Sequence, residues 1–415
     1  MRLAVFTNEF PGPVSTFFAR DIRGLIDAGI DVDVFPIRPY DETLWRYVPD
    51  VLNEKVLPRH KVHHLTVAEC LRKARLANVN EVSCFLRDTF SISASALRYG
   101  VEPLAKSSYV FLKAWIWARQ FGDAYDHVLA YWGNYTATCA YILHRLTRSS
   151  APFSLFLHAS IDLYGRQIYM REKLLYADNI ITCSDFNREF IRRQFSNLGK
   201  SIDEKIYVHY HGLDFSRLLF KANSRTPGKI IAVGRFAKQK GFDYLLRAVR
   251  ELKDRGVNVE LDLVGDGEEA RALGDLVNEL RIMDRVRFLG WLPPDEVPNR
   301  IQQACILVHP SPDLGDGVPN VIKEAMGVGT PIVGSDIAGI PELLANGTHG
   351  MIVPRKNVNA LCNAIETLLA NERLRHDFAL GARRYAEDKF DLWRNGRRLA
   401  EIFSSTPPRR ERRFA

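Results

Sequence analysis

The chain has 415 residues, 46% of them hydrophobic and 26% charged. That composition excludes a disordered, collagenous or repeat-biased protein and suits two or three domains of about 150 residues each. The 57 basic and 49 acidic residues leave a formal charge of +8, which favours anionic partners: nucleic acid, anionic lipid or small phosphorylated substrates.

The start, Met1-Arg2-Leu3-Ala4-Val5-Phe6, runs into Thr7-Asn8-Glu9. It is too short for a signal-peptide core and predicts a buried strand. A turn-rich loop from Pro11 to Ser15 follows. Phe18, Ile22, Leu25 and Ile26 then recur at helical spacing until Gly29 supplies a stop. Val32 to Pro36 reads as a second strand, and a helical crossover makes the pair parallel. His63 and His64 adjoin on opposite faces of any element and are expected at the surface. Residues 107–121 are apolar and aromatic with Lys113 and Arg119 interspersed. They fit either a helix lying on a membrane surface or a core helix, with the balance toward the core. Further strands are predicted at 127–131, 153–157, 179–183 and 206–209.

A polar stretch at 221–228 marks a linker near 214–228, after which the alternation resumes. Strands are predicted at 229–233, 259–264, 286–289, 304–309 and 331–334, with helices between them, as around Leu245, Leu246, Val249 and Leu252. Phe390 to Trp393 and Leu399 to Phe403 suggest a final helix. The basic tail, Pro407 to Arg413, is expected to be disordered. Six scattered cysteines without a CxxC pair offer no metal-site spacing and read as the reduced thiols of a cytosolic enzyme. No apolar run is long enough to span a bilayer.

The segment 305–342 carries the most chemistry. A strand ends at His309, and a glycine-rich loop, Asp313 to Asn320, opens a helix beginning Val321-Ile322-Lys323-Glu324. Pro319 suits the first helical position. The N–H groups of Gly317, Val318 and Asn320 would face the crevice beyond the strand's carboxyl end, where open α/β sheets bind ligands and a helix N-terminus favours phosphate. Glu324 lies about 7.5 Å along the helix, so Asp316 and Glu324 could hold hydroxyls on either side of an anion. The alternative is that Asp316 caps the helix and Glu324 is a solvated charge. Upstream, Arg235, Lys238 and Lys240 follow a strand and could bind a diphosphate, or form a solvated basic loop. Val264-Gly265-Asp266-Gly267 is a glycine turn with little specificity. His309 has no evident partner.

In this order the motifs resemble the donor domain of the family 4 retaining glycosyltransferases, bacterial polysaccharide-assembly type. They are Val233-Gly234-Arg235…Lys240-Gly241, Val264 to Gly267, Val286-Arg287-Phe288-Leu289-Gly290, Asp316 to Met326, Thr330 to Gly334, and Gly339-Ile340-Pro341-Glu342. The resemblance implies an α/β fold of GT-B architecture, two Rossmann-like doubly wound domains facing a central cleft. An acceptor domain would span 1–215, a donor domain 228–385, and a C-terminal helix at 386–405 would return to the first, leaving 406–415 as tail.

By the same resemblance Arg235 and Lys240 neutralise the donor diphosphate, Glu324 binds the ribose and Asp316 the transferred sugar. The backbone near Arg287 and Phe288 faces the base. The family usually has Glu where Asp316 stands, and the shorter side chain weakens that assignment. Pro11 to Phe18 resembles the first loop of polysaccharide-assembly members, with Gly12 letting the backbone approach donor or acceptor, but it lacks their Glu. Residues 155–164 resemble the segment whose His contacts the transferred sugar, here His158. The spacing to Asp162 is one residue longer than usual, and a buried, satisfied histidine is the alternative. His211-Gly212-Leu213-Asp214 resembles a structural turn.

The implied activity is retaining transfer of a sugar from a nucleotide-diphosphate sugar, UDP- or GDP-linked, to a hydroxyl of a saccharide or lipid-linked acceptor, in exopolysaccharide or lipopolysaccharide biosynthesis. It implies no metal and no cofactor beyond the sugar nucleotide as co-substrate. Partners are the donor, the acceptor and an anionic membrane surface, not nucleic acid. The expected location is cytoplasmic or peripheral at the inner face of the plasma membrane. The alternative within the architecture is a sugar-nucleotide hydrolase or epimerase. A nicotinamide dehydrogenase lacks its GxGxxG at the first helix, and no RNP, KH or helix-turn-helix signature supports nucleic-acid binding.

Overall fold

The computed structural model describes the chain except residues 13–15, 40, 49, 74–81, 160–161, 166, 223–224, 316 and 410–415. For residues 46, 47, 71, 73 and 82–84 it describes the backbone alone. The chain divides into two compact units. One comprises Met1–Cys183, Asn187–Gly212 and Leu392–Ala415, the other Ser184–Phe186 and Leu213–Asp391.

The first unit is built on β1 (Arg2–Thr7), β2 (Asp31–Pro36), β3 (His127–Ala130), β4 (Phe153–Leu157), β5 (Asn179–Thr182) and β6 (Ile206–Val208), in the order β2-β1-β3-β4-β5-β6. All pairs are parallel, with Val5 opposite both Val34 and Leu129. A parallel sheet is covered on both faces, so its strands read as continuous apolar runs rather than alternating ones. The crossovers are α1 (Thr16–Asp27), α2 (Val67–Lys73), α3 (Val82–Leu97), α4 (Val101–Phe121), α5 (Tyr135–Leu146), α6 (Met170–Tyr176), α7 (Asp185–Gln194) and α8 (Lys200–Asp203).

α4 resolves the two readings of 107–121 in favour of the core. Trp115 and Trp117 are buried, and Trp117 packs edge-on against Phe6 and Phe35, at 5.9 and 5.3 Å between centroids. Lys113 is fully buried, its ammonium donating to the carbonyls of Pro36 and Arg38 at 3.4 and 3.1 Å. Burial pushes its pKa down to about 8. An interfacial helix would hold these groups at the water boundary. None of the described helices is long and apolar enough to cross a membrane.

His63 and His64 also depart from expectation, for both are half-buried. His63 stacks on Phe35 at 4.7 Å and meets the Asp33 carboxylate through Nε2 at 2.9 Å. Burial, with Lys113 and His63 nearby, lowers the pKa of His64 to about 4. The segment runs along the edge of β2, with Val62 bridging Val34 and His63 N donating to Val34 O at 2.8 Å.

The second unit is built on β7 (Thr226–Val233), β8 (Glu260–Val264), β9 (Val286–Gly290), β10 (Ala304–His309), β11 (Ile332–Ser335) and β12 (Met351–Val353), in the order β12-β11-β10-β7-β8-β9. All its pairs are parallel. β12 was not expected, being three residues long and at the edge. β7 takes in Thr226, Pro227 and Gly228, which read as linker. The helices are α9 (Phe242–Asp254), α10 (Ala270–Glu279), α11 (Val297–Gln303), α12 (Asn320–Val328), α13 (Ile340–Leu343), α14 (Val358–Ala370) and α15 (Glu372–Lys389). Counted within the unit, the order is the Rossmann 3-2-1-4-5-6.

The last helix, α16 (Leu392–Ser405), belongs to the first unit. It crosses α1 where both are narrow: a β-carbon on Gly396 would stand 2.6 Å from the Cα of Gly24. The basic tail is held as far as Arg409. Its amide donates to Ser150 at 2.7 Å, and its guanidinium lies on Asp178 at 2.6 Å and over Tyr176 at 3.9 Å. The rest of the expected disordered tail, 410–415, lies outside the described residues.

Candidate active site

Open α/β sheets bind ligands beyond the carboxyl ends of their strands, at the point where strand order reverses. In the second unit that point lies between β7 and β10, and the loops after these strands carry most of the predicted residues. The β7 loop, Gly234 to Gly241, is locked to its neighbours by main-chain bonds. Gly234 N donates to Val264 O at 2.9 Å, Phe236 N to Asp266 O at 2.9 Å, and Glu269 N to Phe236 O at 2.9 Å. A β-carbon on Gly265 would stand 1.9 Å from Gly234 O. The turn Val264 to Gly267, read as weak in the sequence, is therefore the wedge that shapes the cationic loop. Gly241, at φ +65°, closes the loop against the β10 side, where a β-carbon would stand 2.3 Å from the carbonyl oxygen of Pro310.

Arg235 is exposed and, among the described residues, meets only the exposed Glu268 as an ion pair, at 4.0 Å. Lys240 is half-buried. Its aliphatic stem runs past Gly234, 3.4 Å from where a β-carbon would be.

On the β10 side Asp316 lies outside the described residues. Gly317 and Pro319 are buried and Val318 half-buried. Gly317 O accepts from Gly339 N at 2.9 Å, which ties this loop to the start of α13. Pro319 is the N-cap of α12, not its first helical residue, because its ψ of 120° is extended. Asn320 opens the helix, and Glu324 stands four residues on, along the same face. The Oδ1 of Asn320 is buried and has no hydrogen-bond partner among the described residues. Glu324 is 9% exposed, which rules out a freely solvated charge. The orphaned amide oxygen of Asn320 at the helix start leaves an acceptor for a ligand's hydrogen-bond donor.

Arg287 and Phe288 lie on the edge strand β9. The Arg287 guanidinium is engaged sideways, with Asp262 at 2.9 Å and Glu260 at 3.4 Å, so its main chain is what remains for a ligand. Phe288 is 41% exposed and edge-on to Phe236. His309 is buried, its Nε2 3.2 Å from Ser311 Oγ.

In the first unit the strand order reverses between β1 and β3. Trp132 Nε1 donates to Thr7 Oγ1 at 3.3 Å, and Thr136 Oγ1 to Asn8 Oδ1 at 2.5 Å, so the loops after these strands are linked. Gly12 is buried beside Glu9, where a β-carbon would stand 2.9 Å from a carboxylate oxygen; Ser15 of the same loop lies outside the described residues. His158 follows β4 and is 6% exposed. Its ring lies against Phe156 at 4.3 Å, Trp132 at 4.6 Å and Tyr131 at 4.8 Å. Neither ring nitrogen has a hydrogen-bond partner among the described residues, although Nδ1 lies 3.8 Å from the Asp162 carboxylate. Asp162 accepts from the amides of Gly133 and of His158, the latter at 2.9 Å. Both its oxygens are thus committed to holding two loops. Lys173 braces the same turn, donating to the carbonyls of Gly133, Asn134 and Ile168 at 3.1, 2.9 and 3.0 Å.

Sequence reasoning missed Asp21, Tyr131, Trp132 and His209 around His158. One signal was available: Asp21 stands among Phe18, Ile22 and Leu25, on the apolar stripe of α1, and is buried with them.

The family described as glycosyl transferases group 1 matches residues 215–385. The amylovoran biosynthesis glycosyltransferase AmsK of Erwinia amylovora is 28% identical over 97% of this chain and 99% of its own. The putative colanic acid biosynthesis glycosyltransferase WcaL of Escherichia coli K12 is 32% identical over 91% of this chain and 96% of its own. Among solved structures, Anabaena HepE in complex with UDP-glucose superposes with a TM-score of 0.67 at 19% identity, covering 98% of this chain and all of its own. That likeness extends the two-sheet GT-B fold to the full chain. With a near-full-length relative above 30% identity and the family model matching residues 215–385, the chain belongs to the glycosyl transferases of group 1.

Proposed function

We propose that this glycosyltransferase moves a sugar from a UDP- or GDP-sugar to a hydroxyl of a saccharide or lipid-linked saccharide, in exopolysaccharide or lipopolysaccharide biosynthesis. The observation that carries the reading is the meeting of two loops at the β7/β10 switch point. One brings Arg235 and Lys240, and the other the start of α12 with Asn320 and Glu324. Cations and helix-start amides suit a diphosphate, and a buried carboxylate suits ribose hydroxyls. Relatives named for amylovoran and colanic acid biosynthesis, and a fold relative seen with UDP-glucose, support the donor class and the process.

In this reading Arg235, Lys240 and the amides of Gly317, Val318 and Asn320 offset the charge that builds on the leaving diphosphate, without a metal. Glu324 takes the ribose, the main chain at Arg287 and Phe288 the base, and Asp316 the transferred sugar. His158 is assigned to that sugar as well, and Gly12 leaves room for donor or acceptor. The acceptor oxygen attacks the anomeric carbon from the face of the leaving group. The new C–O bond forms as the bond to the phosphate oxygen breaks, and that oxygen takes the acceptor's proton, so configuration is retained.

The reaction is proposed to run in the cytoplasm at an anionic membrane. α3 and the turn into α4 support the membrane part of this by exposing Leu86, Phe90, Leu97 and Val101 beside Arg87 and Arg98. Cosedimentation with vesicles rich in anionic lipid, lost in Phe90→Ser, tests that part.

Calorimetry of UDP, GDP, ADP and NAD with the purified protein, without and with magnesium, tests the donor site. One nucleoside diphosphate binding without metal, and weakened in Glu324→Ala, supports it. Silence for UDP, GDP and ADP alike rejects it, and sugar-nucleotide hydrolysis as fast as transfer would favour a hydrolase of the same architecture.

A further inference from the structure

The ring of His158 rests on a buried polar network that the donor chemistry leaves unused. Asp21 of α1 is 2% exposed. Its Oδ2 accepts from the Tyr131 hydroxyl at 2.6 Å and lies 2.7 Å from His211 Nδ1. Its Oδ1 is 3.5 Å from His209 Nε2. His211 in turn lies parallel to His158, planes 7° apart and centroids 5.1 Å apart. Phe156 stacks on both histidines, at 22° and 18°.

Packing alone would be served by an apolar side chain at position 21, like Phe18, Ile22 and Leu25 on the same stripe. A buried carboxylate is costly unless its hydrogen bonds are filled, and here they fix ring orientations. The Asp21–His211 bond holds the Nδ1 edge of the His211 ring at a fixed point, and the stack with Phe156 holds its plane. The stack transmits that plane to His158, whose nitrogens have no hydrogen-bond partner among the described residues and whose Nδ1 stands 3.8 Å from Asp162 Oδ2, beyond hydrogen-bond reach.

We propose that Asp21 and His211 are positioning residues: Asp21 locks the His211 ring, and His211 fixes the plane in which His158 presents its nitrogens to the sugar. This rests on the proposed role of His158. The ligand atoms of Asp21, His209 and His211 also lie within 4.8 Å of one another, as at a cation site. The two short bonds on Asp21 Oδ2 favour protons in that space.

The test uses the full chain labelled at histidine, with ring resonances assigned through His158→Gln and His211→Gln. Asp21→Asn is expected to shift the His158 resonances. It should also slow the release of UDP or GDP from UDP-glucose or GDP-mannose by at least about tenfold, with the affinity for free UDP or GDP unchanged. Asp21→Glu, which restores the carboxylate, should recover both. His211→Phe, which keeps the stack and loses the bond, should behave as Asp21→Asn, and Tyr131→Phe should stay near wild type. These two decide the matter if Asp21→Asn fails to fold.

Wild-type His158 resonances and turnover in Asp21→Asn and His211→Phe, with only a lower melting temperature, would overturn the proposal. So would stoichiometric zinc binding that is lost in His211→Gln. If neither UDP-glucose nor GDP-mannose moves the His158 resonances of the wild type, the donor reading fails. The resonance shift in the ligand-free variants still judges the positioning claim on its own.

Discussion

The α-carbon of Gly241 faces the carbonyl oxygen of Pro310 so closely that a β-carbon would stand 2.3 Å from it. The first residue ends the cationic loop after β7, and the second opens the loop that leads to α12. Gly241→Ala must both adopt φ +65° and displace a main-chain oxygen. It is expected to destabilise the second unit by about 2 kcal/mol or more and to weaken nucleoside diphosphate binding beyond that. Denaturant melts alongside calorimetry check this, and equal loss at Gly256→Ala, where a β-carbon meets open space, would refute the contact as the cause.

Arg235→Ala should separate activity from stability. Its only described ion pair, with Glu268 at 4.0 Å, is exposed on both sides, and such pairs contribute about 0–1 kcal/mol. Turnover should nevertheless fall by about a hundredfold or more. A melting temperature near wild type with that loss fits the proposal, and near-normal turnover removes Arg235 from the site.

Glu324→Gln keeps the shape of a side chain that is 9% exposed and removes its charge. Losing a charge-assisted bond to a ribose hydroxyl costs about 1.5–3 kcal/mol. Affinity for the preferred nucleoside diphosphate should therefore fall about tenfold to a hundredfold. Inorganic pyrophosphate, which has no ribose, should bind both proteins alike in a competition titration.

Lys173 makes a prediction about pH. Burial lowers its pKa to about 7 in the folded chain, against an ordinary 10.5. The fold therefore disfavours the protonated form. That penalty is complete below about pH 7 and is relieved as pH rises toward 10.5, where the unfolded chain still binds the proton. Stability should climb between about pH 7 and 10 by ~1.4 kcal/mol per pH unit for this proton. Lys113, lowered to about 8, adds to the upper part. Lys173→Met should flatten the slope in urea melts, and an unchanged slope would show that the ammonium keeps its charge through this range.

The strands of both sheets were legible because parallel sheets buried on two faces write themselves as apolar runs. β12 escaped because Met351 and Ile352 at the sheet edge are only half-buried, which leaves too short a signal. The donor-side motifs were legible as words in order. That Gly265 shapes the Arg235 loop was not, because the contact joins the ends of two strands that are neighbours only in the sheet. The pocket of His158 was half legible. His158 itself stood out, while Asp21 and His211 meet across 190 positions of chain and no local spacing announces such a pair.

The crossing of α1 and α16 at Gly24 and Gly396 has a consequence for synthesis. The first unit opens the chain and is finished by residues made after the whole second unit. A chain emerging in order from the ribosome therefore has the six strands of the first sheet well before the helix that covers α1. For that interval the narrow groove at Gly24 stays uncovered, while the second unit, continuous from Leu213 to Asp391 but for the short piece Ser184–Phe186, can already condense. A released chain that ends at Asp391 should be cut by proteases in the first unit and spared in the second.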